Sequence, residues 1–356
     1  MSIKNKILSK SNQFNHYKEK SKKLSKENKR LNEKIEKISR NDEYEKGISI
    51  IIPTYKGESY INVLLDSLAK QTLSRDLFEI IFVINGELDS TTEILKDFIA
   101  ENPEMNVIFT YTTTPGVSNA RNIGIGIAQR EYTGFVDDDD FISEHYLESL
   151  YNHAEPNRVV MTNFIDVDED SGEKLESYAV SFKEKRSGII NNAPLEFKGL
   201  ASLTVAKVIP TYGIKTTRFN TELKNGVDIS YYARLYPKFD FEFFFIPKEE
   251  DAVYYRIQRT GSISRQKLSY EFNILGRLGV ISDINLSFRE NKPNKKYKRY
   301  LQNQVNAQVT SFMNNYLAEH PEDREKIMKE IEKRDLEANM LKGKLKEKLK
   351  NTCSFR

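Results

Sequence analysis

The chain has 356 residues, of which 38% are hydrophobic and 30% charged, and its formal net charge is +3. This length suffices for one large α/β domain with helical additions, or for two small domains. No run of about 18 apolar residues occurs, which excludes a transmembrane helix, and the first residues lack the apolar stretch of a secretory signal. The only cysteine, Cys353, excludes an intrachain disulfide. Together these features predict a cytoplasmic protein.

The charge is unevenly distributed. Residues 1–46 carry about +7 and residues 341–356 about +5, which leaves the centre of the chain at about −9. An acidic centre argues against a nucleic-acid partner. In the basic tail, Leu341, Leu345 and Leu349 recur every four residues among lysines. This pattern is typical of a peripheral helix on the inner face of the cell membrane, and equally of a solvated terminal helix.

Residues 1–46 form a first region without a core of its own. Its apolar positions follow a heptad, which Ser21 and Asn28 interrupt: Ile7, Phe14, Tyr17, Leu24, Leu31, Ile35 and Ile38. The pattern predicts a basic helix. Such a helix could form a short coiled coil that joins copies of the chain into a homo-oligomer, or it could stay solvated against its own domain.

A regular alternation of strand and helix patterns begins at residue 47. Runs at 48–52, 78–84, 107–111 and 132–136 predict strands, and the segments between them predict amphipathic helices, the last of which starts near Val117. Such alternation is typical of a doubly wound, mostly parallel α/β sheet. Ligands bind beyond the carboxyl ends of the strands in these sheets, so we expect the loops at 53–55, 85–86 and 137–140 to converge on one crevice.

The pattern is less regular beyond residue 157. Segments 158–167, 241–246 and 252–257 read as strands, residues 166–173 as an acidic hairpin, and residues 227–236 as a helix. From residue 265 the chain reads as a helical C-terminal extension that Pro293 and Pro321 interrupt.

Four consecutive acids, Asp137, Asp138, Asp139 and Asp140, follow the strand at 132–136. Adjacent carboxylates repel one another, and a divalent cation with its bound phosphates would offset that charge. Oxygen-only ligation favours Mg²⁺ or Mn²⁺, which would neutralise a departing diphosphate. The alternative is a solvated acidic loop, or a cluster at the N-terminus of the following helix.

Residues 48–262 resemble the family 2 glycosyltransferases of bacterial surface-polysaccharide type, which have the GT-A fold. The resemblance rests on four collinear segments, at residues 48–55, 65–72, 116–124 and 132–140, and the last of these carries the Asp-x-Asp signature. Taken together with the helical patterns, it implies three regions: a basic helix at 1–46, a GT-A domain at 47–264 and a helical extension at 265–356.

The resemblance also implies roles for individual residues. Asp139 would be the direct metal ligand, with Asp137 facing the ribose or the metal's water and Asp138 next to them in the nucleotide-sugar site. Pro53, Thr54 and Tyr55 would line the base pocket, and Arg121 would approach the nucleotide. Arg256, Arg259 and Ser262 would hold the diphosphate, since the guanidinium fork suits phosphate oxygens.

Asn85 stands where the family commonly has an acid that reads the base. An amide oxygen can still accept a hydrogen bond from a pyrimidine imide, which keeps a UDP-linked donor the favoured expectation.

The segment at 218–228 is similar to the one that presents the family's catalytic base. Val227 replaces an acid there, and Asp228 keeps the second position. Asp228 is therefore the expected base, which takes the proton of the acceptor hydroxyl. The alternatives are that Asp228 only caps the following helix and that Glu222 is the base.

These observations predict an inverting, metal-dependent glycosyltransferase. It would move a sugar from a nucleotide-diphosphate sugar to a glycan, polyol-phosphate or lipid-linked acceptor during cell-surface polysaccharide synthesis. Two alternatives remain open at this stage: a nucleotidyltransferase, and a catalytically inactive scaffold that oligomerises through residues 1–46.

Overall fold

The computed structural model describes residues 43–175, 187–258 and 268–334, together with positions 23, 26, 41, 336 and 347. The predicted coiled coil at 1–46 and the basic tail at 341–356 lie almost wholly outside these residues. Both therefore stay predictions.

The first half of the described chain alternates strands and helices as predicted. Its strands are β1 (Glu45–Thr54), β2 (Phe78–Asn85), β3 (Val107–Thr112) and β4 (Arg130–Phe135). The helices between and after them are Ile61–Ala69, Thr91–Glu101, Val117–Ile127 and Tyr146–Asn152. A two-residue strand, β5 (Phe141–Ile142), follows the acidic run.

Short strands dominate the next part of the chain. They are β6 (Arg158–Met161), β7 (Asn163–Asp168), β8 (Lys174–Leu175), β9 (Gly188–Ile189), β10 (Lys207–Pro210), β11 (Glu242–Phe245) and β12 (Val253–Gln258). The helices of this part are Ala193–Glu196, Lys198–Ser202, Thr211–Ile214 and Val227–Leu235.

The strands form two sheets. The larger one has the order β3-β2-β1-β4-β10-β6-β11-β9, and its pairs β3–β2, β2–β1 and β1–β4 are parallel. Strand β10 runs antiparallel to both of its neighbours, β4 and β6. The predicted doubly wound, mostly parallel sheet is thus confirmed. The carboxyl ends of β1, β2 and β4 meet at one edge of it.

The centre of the larger sheet is buried because apolar side chains cover both of its faces. Ile48, Ile50, Ile51 and Ile52 of β1 are each at most 1% exposed. Every residue of β2 is buried as well. Such continuous β-branched runs are typical of a parallel strand packed on both faces, which explains why the sequence pattern located these strands well.

The smaller sheet has the order β5-β12-β7-β8. The residues predicted as strand at 158–167 are strand except for Thr162, where the chain leaves the larger sheet and continues in the smaller one as β7. Thr162 lies between the sheets, where its hydroxyl donates to the carbonyl of Ala252. Thr162 and Asn163 interrupt the apolar run at this step. Two polar residues also occur within a strand that stays in one sheet, so the pattern holds no signal for a change of sheet.

Helices make up the described part of the C-terminal extension, as predicted. They are Arg277–Asn291, Lys295–Gln308, Asn314–Glu319 and Arg324–Lys333, with π-helical turns at Glu271–Gly276 and Val309–Met313. The helix Arg277–Asn291 packs against Val227–Leu235 and so supports the segment that carries Asp228. Within the described ranges, no helix has both the length and the hydropathy of a membrane-spanning segment.

The helix Val117–Ile127 lies close against β1 at Gly124. A Cβ at position 124 would lie 2.3 Å from Cγ2 of the buried Ile51, whereas one at Gly126 would meet nothing within 4 Å. We expect Gly124→Ala to lower the free energy of unfolding by about 1–3 kcal/mol, because the core cannot absorb the added methyl. Gly126→Ala should raise it by up to about 1 kcal/mol through helix propensity. Urea unfolding of both variants checks this, and equal effects would contradict the close packing.

Candidate active site

Three loops meet at the carboxyl edge of the larger sheet, as predicted. Asn85, the last residue of β2, joins the loop after β1 to the segment before the helix Val117–Ile127. Its amide nitrogen donates to the carbonyl of Thr54 at 2.8 Å, and its amide oxygen accepts from the backbone N–H of Gly116 at 2.9 Å. Asn85 is 3% exposed. Both polar atoms of this side chain are therefore used inside the protein, and they hold the loop after β1 beside the start of the helix Val117–Ile127.

The three residues expected to line the base pocket differ in exposure. Pro53 and Thr54 belong to β1 and are buried, so their side chains face the protein interior. Tyr55 is 47% exposed, and its ring lies over Gly86, where a Cβ would come within 2.8 Å of it. Of the three, Tyr55 presents the accessible ring surface at the crevice.

The acidic run divides into inward and outward members. Asp140 is 2% exposed and accepts hydrogen bonds from the Tyr254 hydroxyl at 2.6 Å and from the Ile257 N–H at 2.9 Å. The same Tyr254 hydroxyl accepts from the N–H of Asp137 at 3.1 Å. Asp140 and Tyr254 thus fasten the acidic loop to β12. Sequence reasoning missed Tyr254, which is one of several aromatic residues in an ordinary strand pattern, and gave Asp140 no separate role.

Asp138 fastens the other side of the loop, because its carboxylate accepts from the N–H of Tyr55 at 3.1 Å. Burial, and next the charge of Asp139, raise the pKa of the Asp138 carboxyl well above its ordinary value. Burial also raises the pKa of Asp140, with Asp137 and Asp139 adding to the effect. Both shifts disfavour the charged forms of these two carboxyls, an effect that a bound cation would offset.

Arg121 joins the acidic loop to the segment that carries the expected base. It is 5% exposed. One of its terminal nitrogens lies 2.9 Å from Asp137 Oδ1, and the other lies 3.4 Å from Asp228 Oδ1. Burial alone would lower the pKa of Arg121, but the charges of Asp137 and Asp228 together raise it above its ordinary value. Asp137 and Asp228 thus share the buried Arg121 guanidinium.

Asp228 sits in the first turn of the helix Val227–Leu235. Gly226 precedes that helix in the left-handed region, with φ at +61°, where a glycine is unstrained. The side chain of Asp228 is 33% exposed, so it reaches both Arg121 and solvent. Glu222, the substitute candidate, is exposed in the preceding loop.

Arg256 lies on the same face of β12 as Tyr254, two residues away along the strand. Its Nε donates to Asp166 Oδ1 at 2.7 Å, and its guanidinium lies 4.9 Å from the centre of the Phe164 ring. Asp166 was not singled out from the sequence. Arg259 and Ser262 lie outside the described residues.

The carboxylates at the site agree with a metal ion held jointly by the protein and its ligand. Among the described residues, no group of three or more His, Cys, Asp or Glu side chains is arranged to hold a metal ion. Mg²⁺ and Mn²⁺ in nucleotide sites are held through one or two carboxylates together with substrate phosphates. Asp137 and Asp139 could supply such a pair of carboxylates.

Comparisons with solved structures identify the class of fold. Staphylococcus aureus TarS in complex with UDP-GlcNAc superposes with a TM-score of 0.65 at 22% identity, covering 86% of this chain and 89% of that one. A mannosyltransferase from Pyrobaculum calidifontis, in complex with GDP-Man and Mn²⁺, has a TM-score of 0.53 at 13% identity and covers 85% and 79%. Identities this low establish only the fold, which is GT-A.

Sequence comparison adds the family. The model described as "Glycosyl transferase family 2" matches residues 49–241. This chain belongs to glycosyl transferase family 2. The uncharacterized glycosyltransferase EpsJ of Bacillus subtilis is 40% identical over 112 residues, which is 32% of this chain and 31% of EpsJ. The poly(ribitol-phosphate) beta-glucosyltransferase of Bacillus spizizenii is 37% identical over 115 residues, which is 32% of this chain and 18% of that protein. The alignments thus span a third or less of these relatives' lengths.

Proposed function

We propose that this protein is an inverting, metal-dependent glycosyltransferase. It moves a sugar from a nucleotide-diphosphate sugar, with UDP favoured, to a hydroxyl of a glycan, polyol-phosphate or lipid-linked acceptor in bacterial cell-surface polysaccharide synthesis. One observation carries the proposal: Arg121 places the signature acid Asp137 and the expected base Asp228 around one buried guanidinium. A donor-side acid and an acceptor-side base thereby border the same crevice.

The donor side would use the residues around the acidic loop. Tyr55 offers a ring for the base, and Arg256 offers a guanidinium to the diphosphate, with Asp138 beside them in the nucleotide-sugar site. Asn85 acts indirectly in this proposal, since its amide holds the loops on which the base would rest. A bound Mn²⁺ or Mg²⁺, held by Asp139 and Asp137, would stabilise the negative charge on the departing diphosphate.

The acceptor side would use Asp228. The acceptor hydroxyl oxygen attacks the anomeric carbon from the face opposite the diphosphate. The new carbon–oxygen bond forms as the bond to the diphosphate oxygen breaks, and that electron pair leaves with the diphosphate. The hydroxyl proton passes to the Asp228 carboxylate. Attack from the opposite face inverts the anomeric configuration.

Two relatives support the choice of donor and acceptor class. The TarS structure contains UDP-GlcNAc, which favours a uridine-linked donor. The name of the Bacillus spizizenii relative specifies poly(ribitol-phosphate) as its acceptor, which favours a polyol-phosphate or another surface glycan.

Location and assembly are separate proposals. Residues 1–46 would form the oligomer contact, and the basic ends would touch the inner face of the membrane. If deletion of residues 1–46 left the oligomeric state measured by light scattering unchanged, the coiled-coil proposal would be wrong. If deletion of residues 341–356 left co-sedimentation of the protein with anionic vesicles unchanged, the proposed membrane contact of that tail would be wrong.

The metal requirement gives the first test. With Mn²⁺ and a panel of UDP- and GDP-sugars, we expect slow hydrolysis of one donor, measured as release of the nucleoside diphosphate. Asp139→Asn should reduce this hydrolysis by at least about 100-fold, because the amide cannot supply the charge that the metal needs. Asp97→Asn, on the exposed side of the helix Thr91–Glu101, is the matched control and should leave hydrolysis unchanged.

Two other results would change the proposal. Full donor hydrolysis in the presence of EDTA would remove the metal from it. Release of pyrophosphate from a nucleoside triphosphate would favour a nucleotidyltransferase, and donor binding without turnover on any acceptor would favour an inactive scaffold.

A further inference from the structure

The smaller sheet has a second face that the proposed reaction does not use. Successive side chains of a strand point to opposite faces, so Tyr254 and Tyr255 diverge. Tyr254 faces the acidic loop, where its hydroxyl bonds to Asp140. Tyr255 therefore lies on the other face, opposite Phe141 in the register of β12 and β5. That face borders a cavity of about 570 Å³, named here the outer cleft.

The floor of the outer cleft is aromatic. The rings of Phe141 and Tyr255 stack with centres 4.6 Å apart at 13°, and both side chains are only partly buried. Val167 of β7 continues the apolar floor. The two rings cover one face of each other, and Lys174 Nζ lies 5.2 Å from the centre of the Tyr255 ring, so the cleft is lined by the remaining surface of the aromatic pair. The C–H groups of a hexose pack well against such an aromatic surface with a polar edge.

The rim of the outer cleft is polar, and its charges nearly cancel. It carries three acids, Asp66, Glu144 and Asp251, and two lysines, Lys70 and Lys174. A polyanion such as a phosphate chain would meet more repulsion than attraction there, while a neutral, hydroxyl-rich ligand meets acceptors and donors on every side. Carboxylates accept strong hydrogen bonds from hydroxyl groups.

The three rim carboxylates are also available. Within the part of the chain that the structure describes, the side chains of Asp66, Glu144 and Asp251 make no hydrogen bond or ion pair. They converge on a cavity whose volume lies in the usual range of roughly 300–1,000 Å³ for ligand sites. An apolar floor with a few convergent polar groups is the general form of a small-molecule site.

We propose that the outer cleft is a second carbohydrate-binding site, which holds an uncharged sugar segment on the face of the small sheet opposite the acidic loop. It rests on the proposed function in one respect, because the segment is taken to belong to the glycan acceptor. Because β5 follows Asp140 directly, an acceptor chain bound at Phe141 would lie close to the acidic loop while leaving the crevice free.

The chain has no tryptophan, which allows a direct test. Tyr255→Trp keeps an aromatic ring in the floor and provides the only indole emission of the protein. Titration with maltohexaose, cellohexaose and chitohexaose should give a saturable change in that emission for at least one of them. Adding Asp66→Asn, a change at an exposed position, should weaken the binding by at least about tenfold. Adding Phe141→Ala should abolish it, with circular dichroism as the check on folding.

Calorimetric titration with UDP and MnCl₂ separates this inference from the proposed function. UDP should bind the Tyr255→Trp protein with and without Asp66→Asn equally well. Sugar binding without UDP binding would overturn the proposed function and leave the second site standing. No saturable response to any of the three sugars would overturn the second site. So would a stronger response to tripolyphosphate, or an emission that acrylamide cannot quench, since the latter would mean that another part of the chain covers the cleft.

Discussion

Replacement of Asp228 by Asn should reduce the transfer rate by about 10²–10⁴-fold, the usual contribution of a general base. The amide keeps the size and shape of the side chain but cannot take the proton of the acceptor hydroxyl. Donor affinity should change little, because the acidic loop is held by Asp138 and Asp140 rather than by Asp228. The measurement is steady-state transfer to the acceptor, combined with calorimetric titration of the donor.

Glu222→Gln is the matched control for this prediction. Glu222 is exposed, and its replacement should leave both turnover and donor affinity as they were. If Glu222→Gln lost activity and Asp228→Asn retained it, the base would have to be reassigned to Glu222. If Asp228→Asn lowered donor affinity as strongly as turnover, Asp228 would be a binding residue instead.

Arg121→Met should produce the largest loss of stability among single changes at the site. The substitution leaves Asp137 and Asp228 facing each other across a buried position without their shared cation. Breaking a fully buried ion pair costs about 3–5 kcal/mol. Because the side chains of Asp137 and Asp228 are 36% and 33% exposed, solvent screens them and we expect roughly 1–3 kcal/mol. A lower urea midpoint with an unchanged m-value is the expected signature.

Two further variants isolate the shared-cation effect. Arg121→Lys should recover part of the loss, since one ammonium can pair with one carboxylate but cannot bridge both as a fork does. In an Asp228→Asn background, Arg121→Met should cost less than it does in the native chain, because one of the two ion pairs is already gone. An identical cost in both backgrounds would show that Arg121 and Asp228 do not interact.

Much of the fold could be predicted from the sequence, because the central strands are continuous β-branched runs. Strands β1 and β2 were located to within a few residues, as was the helix Val117–Ile127. The step at Thr162 could not be predicted. Hydrophobic periodicity reports burial, and the residues of β6 and β7 are all buried or half-buried although the strands belong to different sheets.

The candidate site, like the fold, could be predicted only in part. The position of the acidic loop at a strand end follows from alternation of strands and helices, and so does its convergence with Tyr55. The bridging role of Arg121 and the anchoring role of Tyr254 depend on side-chain contacts between distant segments. A single sequence holds no record of such pairings. Asn85 illustrates the limit, since its residue type suggested contact with a ligand while its two hydrogen bonds join protein loops.

The anchor between the acidic loop and β12 has a consequence for folding. The Tyr254 hydroxyl contacts Asp137 and Asp140 at sequence separations of 117 and 114. Contacts of such long range form late, because the entropy of closing a large loop opposes them. A nascent or truncated chain that ends before β12 would contain the whole acidic signature without its anchor. Donor binding should therefore appear only once both sheets have assembled. Incomplete chains would then not bind the nucleotide sugar.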